Sequence, residues 1–386
     1  MNASAGTNSA VVLAALLLVH TIGPQTIIVL PALTQGYVEY RGVSESAVGL
    51  LSSLETWGIC IATLCMMYLV SRVRWRLLML LALVAMAASN LVSMFATSDL
   101  LLFPSRFVAG FGGGVIVSVS YAMISQTRRT QRNFGLAIAL VLLYGVLAFP
   151  LLSMLYSQWG MAGAFGFFML FSLCGIPFVR ILPDRGQEVV ALDVAVIREK
   201  RVEALLSSSI MLIYFIGLMG AWSYFYRFGV QHGLGEEAVG YALSISQFAG
   251  LAGALTVVFF ESRMRASVGA LSGIAVGALS IGAVVLSDSF LTFLAICLVF
   301  QFAWNMTHPL LLSLLAVFDP SGRIIVYGTA MQFIGIALGP TLAAILVADV
   351  GLGWVAMLCA VATAVSGVFV ATVVKYYQHR HADASQ

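Results

Sequence analysis

The sequence carries very little charge. Only 9% of its 386 residues are charged, whereas 61% are hydrophobic, and the mean hydropathy is +1.01. A soluble domain cannot bury so large a share of apolar side chains, which excludes a soluble enzyme or binding module. The few basic residues are spread over short loops, so no basic surface for nucleic acid is expected. Apolar runs of roughly 20 residues, without strand-like alternation, predict an all-α polytopic membrane protein that contacts lipid.

Cysteine is scarce as well, and its placement excludes two common uses. All five cysteines lie inside apolar runs, without the spacing of a disulfide framework or a zinc site. No metal or cofactor is therefore predicted. No Lys or Arg precedes the first apolar run and no small-residue cleavage site follows it, so this run is expected to stay as a spanning helix.

Charges, glycines and prolines divide the chain into twelve runs that are long enough to span a bilayer. The predicted spans are 10–34, 45–70, 76–96, 99–125, 133–157, 160–181, 204–228, 236–260, 266–287, 289–318, 324–348 and 351–376. The longest polar stretch follows span six. The predicted domains are an N-terminal six-helix bundle (1–182), a cytoplasmic linker (183–203), a C-terminal six-helix bundle (204–378) and a tail (379–386).

Two parts of the sequence repeat at an offset of 191 residues. Gly-Val-Ser-Glu-Ser-Ala-Val-Gly at 42–49 returns as Gly-Leu-Gly-Glu-Glu-Ala-Val-Gly at 233–240, and Ser-Arg-Val-Arg at 71–74 returns as Ser-Arg-Met-Arg at 262–265. Both copies frame an apolar run of span length. The offset predicts two homologous halves of six spans in the same orientation.

Basic residues lie almost entirely on one side of these spans. Sixteen of the 19 Lys and Arg residues fall in the linker and in loops on that side, whereas the other side has only Arg41 and Arg227. Loops rich in Lys and Arg remain on the cytoplasmic side of a membrane. We therefore predict a multi-pass protein of the bacterial inner membrane, with both termini in the cytoplasm and a monomeric state.

Twelve spans in two six-span repeats, with basic loops after spans two and eight, resemble the major facilitator superfamily. Arg106-Phe-Val-Ala-Gly110-Phe-Gly112-Gly113-Gly114 in span four is similar to the family signature Arg-x-x-x-Gly-x-Gly. This resemblance implies a transporter that works by alternating access, in which the arginine takes part in coupling or gating. It does not imply an enzyme.

Two further family motifs are only partly matched. In the loop signature after span two, Gly-x-x-x-Asp-Arg-x-Gly-Arg-Arg, Arg72 and Arg76 fit, but Ser71 stands where the acid belongs. In span eleven, Gly335-Ile-Ala-Leu-Gly339-Pro340 resembles the Gly-x-x-x-Gly-Pro pattern that family exporters carry in span five. The resemblance therefore favours efflux over uptake only in part.

Glu55 and Arg106 are the candidates for proton coupling. Glu55 lies about 15 Å into span two, where a charge is costly unless it faces a cavity or a partner. A carboxyl group whose surroundings alternate between wet and closed picks up and releases a proton; the alternative is a permanently protonated Glu that bonds a neighbouring helix. Arg106 keeps its charge, and its alternative role is to reach the outer interface.

Polar and aromatic residues of other spans are the candidates for substrate binding. Gln301, Trp304, Asn305 and His308 share one face of span ten, although interhelical hydrogen bonding explains the same pattern. Tyr224 and Tyr226 are expected in an aromatic belt at the membrane surface. Weaker substrate candidates are Thr21 and Gln25 (one face of span one), Tyr214, Trp222, Gln247 and Gln332.

Together these residues predict a secondary active transporter of a small organic solute that is uncharged or weakly acidic. The solute is expected to move either in exchange for protons or together with them. Glu55 and Arg106 are nearly the whole set of charges at mid-membrane, and a polyanion would require more cations. An uncoupled facilitator and a transporter-like sensor without flux remain alternatives.

Overall fold

The computed structural model describes residues 9–184, 201–260, 265–318 and 323–383, and nearly all of them are helical. Helices satisfy every backbone polar group internally, which hydrocarbon requires of a spanning segment. The chain divides into two compact units, Met1–Ala191 and Leu192–Gln386. Residues 185–200 of the predicted linker and 384–386 of the predicted tail lie outside the described residues.

The first unit contains spans one to six. Span one consists of three short helices, Ala10–Ile22, Gln25–Ile28 and Leu30–Arg41. Proline has no amide hydrogen, so Pro24 caps the second helix and Pro31 lies in the first turn of the third. The remaining spans are Glu45–Leu69, Trp75–Phe95, Asp99–Ser125 and the two parts of Thr130–Val179, which is interrupted at Gly160.

The second unit contains spans seven to twelve. They are Arg201–Gln231, Glu236–Phe260, Ala266–Ala283 with the 3-10 turn Val284–Leu286, Phe290–Phe318, and the two parts of Arg323–Asp383, which is interrupted at Gly351. The twelve predicted spans are confirmed. The largest differences are that span one continues to Arg41 rather than residue 34 and that the last helix continues past residue 376.

Backbone geometry repeats with the same offset as the sequence. Among the described residues, only Gly42, Gly160, Gly233 and Gly351 have a positive φ, at 65°, 58°, 84° and 78°. This left-handed conformation favours glycine because a Cβ atom would clash. Gly42 and Gly233 are 191 residues apart, and so are Gly160 and Gly351. The second pair extends the repeat to spans five, six, eleven and twelve, which the sequence motifs did not include.

Candidate functional site

Glycines bring the backbones of spans two and four into contact beside Glu55. A Cβ atom on Gly110 would lie 1.9 Å from the carbonyl oxygen of Glu55, and one on Gly114 would lie 2.5 Å from that of Ile59. From the other side, a Cβ atom on Gly58 would lie 2.3 Å from the carbonyl oxygen of Phe107. Only small residues permit so close a crossing. The crossing fixes Glu55 against span four.

The other glycines of the span-four motif contact different helices. A Cβ atom on Gly112 would meet the carbonyl oxygen of Ala82 in span three at 2.9 Å, and one on Gly113 would meet that of Gly23 in span one at 2.4 Å. The glycine run therefore lets span four pack closely against three neighbours at once.

Arg106 is completely buried, at 0% exposure, and span three holds its guanidinium group. Its Nε donates to Ser93 Oγ at 3.0 Å, and its Nη2 donates to Asn90 Oδ1 at 2.9 Å and to the carbonyl oxygen of Ser89 at 3.4 Å. The guanidinium carbon lies 4.7 Å from the ring centroid of Phe165 in span six, a cation–π distance. The alternative in which Arg106 reaches the membrane interface is therefore wrong.

Glu55 faces Arg106 inside the first unit. Its Oε1 lies 3.8 Å from Arg106 Nη1, and neither atom has a hydrogen-bond partner among the described residues. Thr26 in span one lies next to the same carboxyl group. The side chain of Glu55 is 3% exposed, so its carboxyl group does not face lipid. The two candidates for proton coupling are thus neighbours, at a distance longer than a hydrogen bond.

Several residues around this pair were not predicted. Ser89, Asn90 and Ser93 are buried polar residues within one turn of an otherwise apolar span three, a signal that was available in the sequence. Phe165 and Tyr37 carried no such signal. The hydroxyl of Tyr37 is close enough to Arg106 to interact electrostatically but lies outside hydrogen-bond geometry. These five residues complete the surroundings of the Glu55–Arg106 pair.

Thr21 and Gln25 do not share a continuous helical face, contrary to the prediction, because span one breaks between them at Gly23 and Pro24. The hydroxyl of Thr21 donates to the carbonyl oxygen of Leu17 in its own helix, at 2.9 Å. Gln25 Nε2 donates to Ser172 Oγ in span six at 3.2 Å, and Gln25 Oε1 is buried without a partner among the described residues.

In the second unit, the polar stripe of span ten forms hydrogen bonds in two directions. Asn305 Nδ2 donates to Oε1 of Gln301 at 3.2 Å and to its carbonyl oxygen at 3.0 Å. His308 Nε2 lies 2.9 Å from Oε1 of Gln332 in span eleven and donates to it, since an amide oxygen only accepts. A Cβ atom on Gly250 in span eight would lie 2.7 Å from Asn305 Nδ2. The stripe therefore contacts spans eight and eleven.

An aromatic cluster lies next to this stripe. Trp304 packs edge to face with Trp222 at 5.7 Å and with Phe300 at 5.9 Å, and Trp222 stacks on Phe300 at 5.8 Å. Phe215 packs edge to face with His308. Trp304 is partly exposed, whereas Trp222 and Tyr214 are buried. Tyr214 lies close to Thr307, whose hydroxyl oxygen has no hydrogen-bond partner among the described residues.

The remaining candidates of the second unit are buried in helix contacts. Gln247 Nε2 donates to the carbonyl oxygen of Leu243 in its own helix at 3.3 Å. Cβ atoms on Gly335 and Gly339 would lie 2.6 Å and 2.7 Å from backbone atoms of span seven, so the glycines before Pro340 form a close helix crossing. Tyr224 and Tyr226 are 0% and 1% exposed. The expected aromatic belt at these tyrosines is therefore wrong.

The loop after span two is attached to the end of span six. Arg74 Nε donates to Asp184 Oδ2 at 2.8 Å, and Arg76 donates to the carbonyl oxygen of Leu182. Arg72 lies over the ring of Tyr68 at 3.5 Å. Within the described part of this loop, Arg74 thus pairs with an acid after span six, although Ser71 occupies the place of the loop acid.

The described residues contain no group of three His, Cys, Asp or Glu side chains that could hold a metal ion.

Comparisons with known proteins agree with this architecture. The family description "Major Facilitator Superfamily" matches residues 15–325. The crystal structure of a D-xylose-proton symporter superposes with a TM-score of 0.72 at 16% sequence identity, over 93% of this chain and 96% of that chain. No curated protein matches the sequence significantly. The chain belongs to the major facilitator superfamily and is a multi-pass secondary transporter, not an enzyme.

Proposed function

We propose that the protein is a proton-coupled transporter of a small organic solute, in which Glu55 carries the proton and Arg106 controls its release. The observation that supports this role is the buried pair of Glu55 Oε1 and Arg106 Nη1, 3.8 Å apart and without other hydrogen bonds among the described residues. Burial favours the neutral carboxyl group, whereas the guanidinium favours the carboxylate, so proton binding depends on their separation.

The electrostatic attraction between Glu55 and Arg106 affects how easily the carboxyl group binds a proton. Two unit charges about 4 Å apart attract each other by about 4 kcal/mol at an effective dielectric constant of about 20. A tenfold proton gradient supplies only about 1.4 kcal/mol. Separating Arg106 from the carboxyl group therefore shifts Glu55 toward its protonated form by more than such a gradient does, because burial by itself already favours the neutral carboxyl group.

The second unit supplies the candidate solute contacts. Gln301, Asn305, His308 and Gln332 offer amide and imidazole groups, and Trp304 offers a partly exposed ring. Neutral groups of this kind suit an uncharged or weakly acidic solute with an apolar or aromatic part. The similar structure is that of a symporter of D-xylose and protons, and a sugar is a solute of this uncharged kind.

The proposal also covers the direction of transport and the membrane in which the protein lies. Gly335, Gly339 and Pro340 resemble an exporter pattern, so we propose efflux, from a monomer in a bacterial inner membrane. The basic loops, including Arg72 and Arg76, indicate that both termini and the linker lie in the cytoplasm.

The first step of the test is to identify a solute that the protein binds. Purified protein is screened by thermal shift against sugars, weak organic acids and toxic amphiphiles, with Asn305→Ala as a control for specific binding. The best hit is then followed in proteoliposomes loaded with a pH-sensitive dye. We expect a pH gradient to drive accumulation, and Glu55→Gln to abolish accumulation while leaving downhill exchange of the solute.

Glu39→Gln is the matched control, because Glu39 is an exposed acid at the end of span one in the same unit. It should leave accumulation unchanged. Equal accumulation with and without the gradient would identify an uncoupled facilitator, and binding without flux would identify a sensor. A readout that needs no solute is infrared difference spectroscopy, in which a pH step should give a carboxyl band that Glu55→Gln removes.

A further inference from the structure

A groove of about 340 Å³ lies between spans three and four of the first unit. Small side chains of both helices line it, among them Ala85, Ala88 and Ser105. Leu101 and Val108 also line it and are 53% and 41% exposed. Leu101, Ser105 and Val108 are spaced by four and then three residues, so they share one helical face. The groove therefore follows the helix axes.

The position of the groove determines what surrounds it. Both helices are long and apolar enough to cross a membrane, at Trp75–Phe95 and Asp99–Ser125. An exposed apolar face of such a helix contacts the hydrocarbon interior of the bilayer. The seven-residue distance from Leu101 to Val108 makes the groove roughly 10 Å long at 1.5 Å per residue. An apolar groove that follows the axes of two membrane-spanning helices has the direction of a lipid acyl chain.

Two serines that line the groove, Ser89 and Ser105, also belong to the surroundings of Arg106. Ser105 Oγ shares a 2.7 Å hydrogen bond with Ser93 Oγ, which accepts from Arg106 Nε. Ser89 lines the groove, and its carbonyl oxygen accepts from Arg106 Nη2. A single layer of small side chains thus separates the buried guanidinium group from the membrane interior.

We propose that this groove binds one acyl chain of a membrane phospholipid, which closes the lipid-facing side of the Arg106 site. An apolar surface without a contacting partner loses its dispersion interactions, and a flexible chain restores them. A helix of another copy is about 10 Å in diameter, so a length of about 10 Å of it occupies more than twice the roughly 340 Å³ of the groove. The proposal is independent of proton coupling and of the transported solute.

The test uses the full-length protein in nanodiscs that contain a phospholipid with a photoreactive acyl chain. After irradiation, mass spectrometry maps the labelled peptides. We expect labelling to concentrate on residues 85–92 and 100–108 and to fall when unlabelled phospholipid is added. Ala88→Trp fills the groove and should reduce this labelling about tenfold, which corresponds to about 1.4 kcal/mol of binding free energy.

Val84→Trp is the matched control, because Val84 is 48% exposed on the same helix but does not line the groove. It should leave the labelling pattern unchanged, and size-exclusion elution should show that both variants fold. If all lipid-facing peptides are labelled to the same extent and Ala88→Trp does not change this, the proposal is overturned in favour of ordinary boundary lipid. Displacement of the label by a transported solute, but not by added phospholipid, would overturn it in favour of a lateral solute entrance.

Discussion

Replacing Gly110 by alanine tests whether the crossing of spans two and four positions the Glu55 carboxyl group. The added Cβ atom would lie 1.9 Å from the carbonyl oxygen of Glu55, whereas real Cβ atoms essentially never approach closer than 3.0 Å. The obstacle is backbone and cannot rotate away, so the two helices must separate by at least 1.1 Å. Overpacking of this kind costs about 1–3 kcal/mol.

The same displacement weakens the Glu55–Arg106 pair, because the clash occurs at Glu55 itself. If the whole displacement is added to the 3.8 Å distance between Glu55 Oε1 and Arg106 Nη1, the attraction between the two charges falls by about 1 kcal/mol at an effective dielectric constant of about 20. We therefore expect Gly110→Ala to lower stability and to alter the dependence of transport on the pH gradient. A change confined to stability would mean that the helices relax without moving the pair.

The assay combines thermal unfolding in detergent with gradient-driven accumulation in proteoliposomes. Gly166→Ala is the control, since a Cβ atom on this glycine of span six would meet nothing within 4 Å. It should match the unsubstituted protein in both measurements. Our reasoning fails if Gly110→Ala is as stable and as strongly coupled as Gly166→Ala.

Three further substitutions test contacts of single side chains. Ser93→Ala removes the acceptor of Arg106 Nε, and losing a buried hydrogen bond to a charged group should lower the unfolding free energy by about 1.5–3 kcal/mol in a denaturation assay. Asp184→Asn removes the ion pair with Arg74, whose side chain is 61% exposed, so we expect a loss below about 1 kcal/mol that vanishes at high salt. Asn305→Ala should weaken binding of the solute by about tenfold in a thermal-shift titration, because one oriented hydrogen-bonding group is lost.

Each of these substitutions has a control in the chain. Ser118→Ala removes a hydroxyl that bonds only within its own helix among the described contacts, and should cost less than Ser93→Ala. Arg72→Gln changes a neighbouring loop arginine that lies over an aromatic ring, and should leave the salt dependence intact. A variant Asn305→Asp keeps the size but not the donor; binding as tight as in the unsubstituted protein would contradict a role for Asn305 in solute recognition.

Properties that follow from the depth or spacing of a residue within its own helix were predictable from the sequence. Glu55 was predicted as a buried acid because a carboxyl group at that depth needs a polar partner, and it is 3% exposed. The small residues of the span-four motif were visible in the sequence, and Gly110, Gly113 and Gly114 each meet a neighbouring backbone. The substrate roles of Gln301 and Asn305 remain a proposal, although their shared helical face was expected from their spacing.

Residues that act between helices were less predictable. Tyr224 and Tyr226 have the composition of an interfacial belt, yet both are buried. Thr21 and Gln25 have helical spacing, yet the break at Pro24 directs their side chains to different partners. In each case, the contact in the structure differs from the expected one because it depends on how the helix is rotated or where it is interrupted. The composition of the span does not specify either.

The sequence by itself determined the twelve spans and the repeat, because hydrocarbon admits only long apolar helices and because the two halves share glycines at fixed positions. Only the tertiary structure decided that Arg106 is held by Ser93 and Asn90, that it faces Glu55 at 3.8 Å, and that Arg74 pairs with Asp184. These contacts join side chains of different helices or of a loop and a helix end. They depend on how each helix is rotated and where it crosses its neighbours, and the apolar pattern of a span does not specify either.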